Sequence, residues 1–393
     1  MKAVTWQGRH DMQVREVPDP EIQEPTDVVI DVTSTGLCGS DLHLYDPLTP
    51  FMTPGDIVGH EAMGVVREVG AAVTRLEVGD RVVVPFNISC GACWMCERGL
   101  FSQCETTQNR EHGTGASLFG YSKLYGQVPG GQAEALRVPF GDTLPIKVSH
   151  GPVDDRFVFL SDVLPTAWQA VEYADADPDA TLLVIGAGPI GDMASRIAIH
   201  RGLRVISVDS VPERLGRAHA IGAEPIDMSE VEDVPARVRE LTDGRGADAV
   251  IDAVGMEAHG SPVAETAQKA LGLLPKKVQE KVMLTAGSDR LAALHTAIDA
   301  VRRGGTISIS GVYGGATDPL PMFQLFDKQV QLRMGQANVR RWSDDILSLL
   351  EEDQDHLGVE DFATHHLPLS DAPEAYRSFR DKEGGMVKVV FTP

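Results

Sequence analysis

The 393-residue chain predicts an α/β protein of two domains, a β-rich one and a doubly wound parallel sheet, and two changes of texture and one glycine turn carry that expectation. Up to about Pro145, short β-branched runs (28–32, 64–69 and 81–84) are broken by Gly and Pro. With turn signals such as Val78-Gly79-Asp80 between them, they have the pattern of an irregular antiparallel barrel or sandwich. After Asp175, apolar runs at 181–185, 204–208, 249–254 and 306–310 alternate with segments of helical period, which is a βαβ series. From about Asn338 the character is mixed again, and the alternating run 386–390 is expected to rejoin the first domain.

The glycine turn is Gly186-Ala187-Gly188-Pro189-Ile190-Gly191. It follows the strand 181–185 and opens a helix whose apolar positions Ile190, Met193, Ala194, Ile197 and Ala198 fall on one face. In that context Gly186 permits a tight turn, Gly188 lets backbone approach a pyrophosphate, and Gly191 lets helix and strand pack closely. This is the Rossmann fingerprint. Asp209 closes the next strand 18 residues beyond Gly191, where a carboxylate accepts bonds from an adenosine ribose and repels a 2′-phosphate; NAD is therefore expected over NADP.

Composition excludes several classes of function. Thirty-five Lys and Arg against 57 Asp and Glu give −22, a field that repels nucleic acid and acidic lipid surfaces. No apolar run approaches the ~18 residues that span a bilayer, and the N-terminal residues lack a signal-peptide core, so no membrane association and a cytoplasmic location are expected.

Five cysteines, four of them within 15 residues, suit metal ligation in a reducing compartment better than a disulfide framework. Cys90, Cys93, Cys96 and Cys104 supply four thiolates from one lobe, 87–106. That set fills a tetrahedral zinc and leaves no place for substrate, so the site is expected to be structural. Thiolate quartets also hold iron–sulfur clusters, but the neighbouring acidic and histidine-bearing segments point to zinc. The remaining thiol, Cys38, and His60 of Gly59-His60-Glu61 are candidates for a catalytic zinc, which takes three protein ligands and keeps one exchangeable position; the third ligand is then Glu61 or Asp162.

Taken in order, these motifs resemble the zinc-dependent alcohol dehydrogenases of the medium-chain dehydrogenase/reductase superfamily, most of all their formaldehyde-dehydrogenase-like branch. The resemblance covers nearly the whole chain, through Cys38-Gly39-Ser40-Asp41, Gly59-His60-Glu61, 78–82, the cysteine lobe, Gly130-Gly131-Gln132-Ala133-Glu134, 160–166, the glycine turn and Asp252-Ala253-Val254-Gly255. It implies a GroES-like catalytic domain at 1–163 and 338–393, and a Rossmann domain at 164–337. By position it implies a catalytic zinc on Cys38, His60 and Asp162, with Glu61 behind it or exchanging with bound water. It implies a proton relay through Ser40 to His43 near solvent, with Ser40 and Phe86 lining the substrate pocket. It places Thr166, Val254, Asp209, Arg214 and Lys388 on the cofactor, Lys388 near the pyrophosphate. Gly39 stands where some relatives carry a cation, so phosphate binding is expected to rely on backbone amides and Lys388. The implied activity is hydride transfer between NAD and a primary alcohol or hydrated aldehyde, with a polyol or amino-alcohol dehydrogenase as the alternative, in a homo-oligomer, either dimer or tetramer.

Fifty residues, 256–305, separate Gly255 from the strand at Thr306, far more than a parallel crossover needs. Asp289 is expected to cap a helix bearing Leu291, Leu294, Ile298 and Val301. The surplus, about 257–288, reads as an insertion with a helix start at Ser261-Pro262, beside the adenine end of the cofactor site. The resemblance implies that this insertion covers the cofactor and slows its release.

Overall fold

The computed structural model describes residues 1–46, 48–255, 291–313 and 320–393. The chain divides into two compact units, Met1–Pro165 with Ala337–Pro393, and Thr166–Gln336.

In the first unit, β1 (Lys2–Gly8) and β2 (Asp11–Glu16) form a hairpin ahead of a larger sheet. That sheet uses β3 (Val28–Leu37), β4 (Ala62–Val69), β5 (Arg81–Val84), β8 (Ala135–Val138) and β9 (Ile146–Lys147); the short pair β6 (Gln108–Asn109) and β7 (Thr114–Ala116) stands apart. Alternate residues Val28, Ile30 and Val32 of β3 meet Val66, Val82, Leu136 and Phe119 in one apolar core. Val29 between them is buried as well, and Asp31 alone is exposed, so this part of β3 is covered on both faces. The helix α1 (Asp41–Tyr45) follows β3 directly, so Cys38 sits at a strand-to-helix corner.

The second unit carries a parallel sheet of β10 (Thr181–Ile185), β11 (Arg204–Asp209), β12 (Glu224–Asp227), β13 (Ala247–Asp252), β14 (Val301–Ile309) and β15 (Gln331–Met334), in the order β12-β11-β10-β13-β14-β15. The strand order reverses beside β10, the switch point where doubly wound sheets bind their ligands at the carboxyl ends of the strands. Helices α2 (Val163–Ala174), α3 (Pro189–His200), α4 (Pro212–Ala220), α5 (Val234–Glu240), α6 (Ala292–Ala300) and α7 (Met322–Lys328) belong to this stretch of chain. Leu183, Ile206, Val250 and Ile307 are wholly buried, as central parallel strands require. α6 occupies the predicted crossover helix, but Val301 opens β14 instead of closing the helix. Gly304, at φ 68°, and a shift in register against β13 absorb the extra residues between Val301 and Thr306. The expected insertion at 257–288, with Ser261 and the Asp289 cap, lies outside the described residues.

The last stretch, α8 (Val339–Leu350), β16 (His365–Pro368), α9 (Ala372–Asp381) and β17 (Val389–Thr392), returns to the first unit. There β17 pairs antiparallel with β3, Val389 opposite Leu37, and this strand rejoins the first sheet as its alternation predicts. Among the described residues no helix is long and apolar enough to cross a membrane.

Candidate functional site

Among the described residues, two side-chain clusters suit a metal. In the first, sulfur atoms of Cys90, Cys93, Cys96 and Cys104 lie within 4.8 Å of one another. The loop aims its own donors at them: Cys90 N–H at Cys104 Sγ (3.4 Å), Glu105 N–H at Cys93 Sγ (3.3 Å) and the Thr106 hydroxyl at Cys90 Sγ (3.2 Å). Burial alone raises the Cys93 thiol, but amide donors from Cys96 and Glu105 outweigh it and hold the pKa down to about 6. Cys104 is lowered too, whereas burial and the neighbouring Cys93 raise Cys96; four sulfurs gathered on one loop that aims donors at them fit structural zinc.

In the second cluster, ligand atoms of Cys38, His60, Glu61 and Asp162 fall within the same 4.8 Å, and all four residues are buried. His60 Nε2 is 3.2 Å from Asp162 Oδ2 and Cys38 Sγ is 3.7 Å from the same oxygen. Burial opposes charge on His60, yet the carboxylates of Asp41 and Asp162 raise its pKa well above the ordinary range; burial followed by the Asp162 charge raises the Cys38 thiol. Soft sulfur, imidazole nitrogen and carboxylate oxygen converging in one buried cluster are a donor set that a divalent zinc satisfies. Glycine makes the crowding possible. A Cβ on Gly36 would sit 2.0 Å from Glu61 Oε2, and Gly59 takes φ 92° where a Cβ would meet Gln132 at 2.3 Å.

Glu61 Oε2 pairs with Lys388, and Glu61 Oε1 has no hydrogen-bond partner among the described residues. Lys388 is wholly buried, with its ammonium on Glu61 and on the Leu37 carbonyl at 3.0 Å. Burial is outweighed by the Glu61 charge, which raises the lysine pKa and keeps it protonated.

Ser40 Oγ lies 3.2 Å from His60 Nε2, beside the cluster, and the Phe86 ring stands edge-on to His60 at 6.1 Å between centroids. The placement of His43 corrects one expectation. This residue is buried at 7% exposure and not near solvent, because α1 turns its ring inward to the Tyr121 hydroxyl, 3.4 Å from Nδ1. Burial pushes the Tyr121 phenol far up, so it remains neutral. Sequence reasoning missed Asp41, whose Oδ1 is 3.2 Å from His60 Nδ1 while its Oδ2 accepts Cys38 N–H at 3.0 Å. The only signal was its place in Cys38-Gly39-Ser40-Asp41.

The glycine turn joins β10 to α3. Gly186 has φ 90°, a Cβ on it would meet Val254 Cγ2 at 2.6 Å, and a Cβ on Gly191 would strike the Gly186 carbonyl at 1.8 Å. Gly188 caps α3, Pro189 fills its first turn, and Ile190 follows half-buried. Asp209 ends β11 and accepts N–H bonds from Ala187 (2.8 Å), Ser210 (2.7 Å) and Val211 (3.0 Å); Arg214 Nη1 is 3.5 Å from its Oδ2. One carboxylate therefore ties the glycine turn to the end of the neighbouring strand. Thr166 lies half-buried on α2.

A β-rich unit bearing both clusters and a parallel sheet bearing the glycine turn define a zinc-binding, NAD(P)-binding dehydrogenase. Residues 24–148 match the alcohol dehydrogenase GroES-like domain and 189–274 the zinc-binding dehydrogenase family. The chain is 40% identical, over 100% of both lengths, to the uncharacterized zinc-type alcohol dehydrogenase-like protein AdhB of Bacillus subtilis. It is 31% identical to a glutathione-independent formaldehyde dehydrogenase of Pseudomonas aeruginosa, over 96% of this chain and 94% of that one. Its fold superposes on alcohol dehydrogenase TADH from Thermus sp. ATN1 with a TM-score of 0.83 at 34% identity, covering 100% and 99% of the two chains. The chain belongs to the zinc-type alcohol dehydrogenases of the medium-chain dehydrogenase/reductase superfamily.

Proposed function

We propose that this dehydrogenase transfers a hydride between NAD and a primary alcohol or hydrated aldehyde at the cluster of Cys38, His60 and Asp162. The observation that carries the reading is the contrast in donor type. The lobe offers four equivalent thiols, whereas here Cys38, His60 and Asp162 converge beside Glu61, whose Oε2 is taken by Lys388, so three donors can hold the ion and a fourth position can go to substrate. Bound zinc supplies a Lewis acid that acidifies a substrate hydroxyl, and NAD supplies the hydride acceptor.

The chain's own residues do the rest. Ser40, next to His60, takes the hydroxyl proton, and His43 with Tyr121 forms the buried continuation of the relay. Phe86 excludes water and shapes the wall beside His60. The backbone of Gly186, Gly188, Pro189, Ile190 and Gly191 receives the pyrophosphate, and Asp209 with Arg214 receives the adenosine ribose, which favours NAD over NADP; Thr166 and Val254 flank the nicotinamide half. The formaldehyde-dehydrogenase relative supports an aldehyde hydrate among the substrates.

The test is absorbance of reduced cofactor when NAD is mixed with primary alcohols, polyols, amino alcohols and formaldehyde, the last with and without glutathione. Turnover of primary alcohols or of formaldehyde alone supports the reading. Turnover confined to polyols or amino alcohols overturns it.

A further inference from the structure

We propose that Gln132 and Tyr376 are positioning residues that orient His60 for its metal through Asp41. The inference rests on the metal reading of the Cys38–His60–Asp162 cluster and adds two residues remote from it in sequence, one of them on the C-terminal helix α9.

The contacts form one buried chain. The Tyr376 hydroxyl donates to Gln132 Oε1 at 2.9 Å, Gln132 Nε2 donates to the Gly36 carbonyl at 3.1 Å and to Asp41 Oδ2 at 3.4 Å, and Asp41 Oδ1 faces His60 Nδ1 at 3.2 Å. Tyr376, Gln132 and Asp41 are 0% exposed and His60 5%. Only one orientation of the Gln132 amide satisfies its three partners. The Gly36 carbonyl and the Asp41 carboxylate accept and cannot donate, so the Gln132 amide nitrogen faces them and its oxygen is left for Tyr376. Burial drives the Tyr376 pKa well up, which keeps it a donor. Asp41, held by the Cys38 N–H and by Gln132, keeps its carboxylate within ion-pair distance of His60 Nδ1, a charge that favours the proton on that nitrogen and leaves Nε2 toward Cys38 and Asp162.

The packing says the same. Gly59, which precedes His60, leaves 2.3 Å between an added Cβ and the Gln132 stem, so the amide passes through the space that a side chain at 59 would fill. Gln132 is thereby locked against the backbone of the residue whose ring it helps to orient. Tyr376 is fixed in turn by its ring, 5.7 Å from that of Tyr45.

The experiment loads the full-length protein with Co²⁺ and follows loss of each site's absorption to a chelator, since thiolate-rich and mixed sites absorb differently. Tyr376→Phe keeps the ring and removes only the hydroxyl; Gln132→Met keeps length and removes both polar contacts. Each is expected to release metal from the Cys38 cluster about tenfold faster than the unmodified chain, with the four-cysteine site unchanged. Release at the unmodified rate from both variants overturns the inference, as does equal acceleration at both sites, which marks general loosening. An unmodified chain that takes up Co²⁺ only at the four cysteines overturns the metal reading itself.

Discussion

The four-cysteine lobe draws every donor from Cys90–Cys104 and turns amides of the same loop onto them, whereas the mixed cluster collects Cys38, His60, Glu61 and Asp162 from three stretches of chain. The lobe depends on its own loop and its ion. The mixed cluster depends on a framework: β3 and α1 deliver Cys38, the residues before β4 deliver His60 and Glu61, and Asp162 arrives just ahead of α2. A local site of this kind gains folding free energy directly from its metal, while a dispersed one must be held in place before the ion arrives.

Disturbing each side of that contrast has a different consequence. Cys96→Ser leaves three thiols in the lobe, and because structural zinc is worth ~10 kcal/mol or more, the melting temperature is expected to fall steeply with one zinc lost by elemental analysis. A melting curve that does not move breaks the structural assignment. Lys388→Met strands the Glu61 carboxylate without its partner and is expected to cost about 3–5 kcal/mol by urea unfolding. Adding Glu61→Gln to Lys388→Met is expected to recover most of that loss; additive costs would show that the two groups are uncoupled. Asp162→Ala is expected to leave unfolding nearly unchanged yet reduce kcat/KM by more than about 100-fold, since losing even an outer partner of a ligand costs 10–100-fold. Full activity with two zinc ions per chain would remove Asp162 from the donor set. The smallest effect lies in the parallel sheet of the second unit: Asp209→Ser is expected to narrow the preference for NAD over NADP by about tenfold, ~1.4 kcal/mol. Equal kcat/KM with both cofactors in the unmodified chain would refute the role given to that carboxylate.

The same contrast explains what the sequence disclosed. The lobe was legible because its donors are close together, and so was the parallel sheet, whose strand at 181–185 and glycine turn lie in a short window. The mixed cluster could be narrowed by residue type to Cys38 and His60 with Glu61 or Asp162, and only the family resemblance selected Asp162. Side-chain direction was not legible. Lys388 stands in an alternating run that fits a cofactor contact as well as a core ion pair, and three-dimensional placement alone turns it onto Glu61. His43 reads as a surface imidazole until α1 is seen to aim it at Tyr121. Asp41 lay unremarked beside Cys38 because an acidic residue at the start of a helix is ordinary in sequence.

The pairing of β17 with β3 also sets an order of events during synthesis. Glu61 and the ammonium that neutralises it are 327 residues apart, and Leu37, next to the ligand Cys38, has Val389 as its neighbour across the sheet. At 5–20 residues per second a ribosome needs roughly 16–65 s to cover that distance. Within that interval the whole second unit is made, while the first still has an open edge at β3 and an uncompensated carboxylate beside Cys38, His60 and Asp162. The mixed cluster is therefore finished late, although most of its donors are among the first residues made.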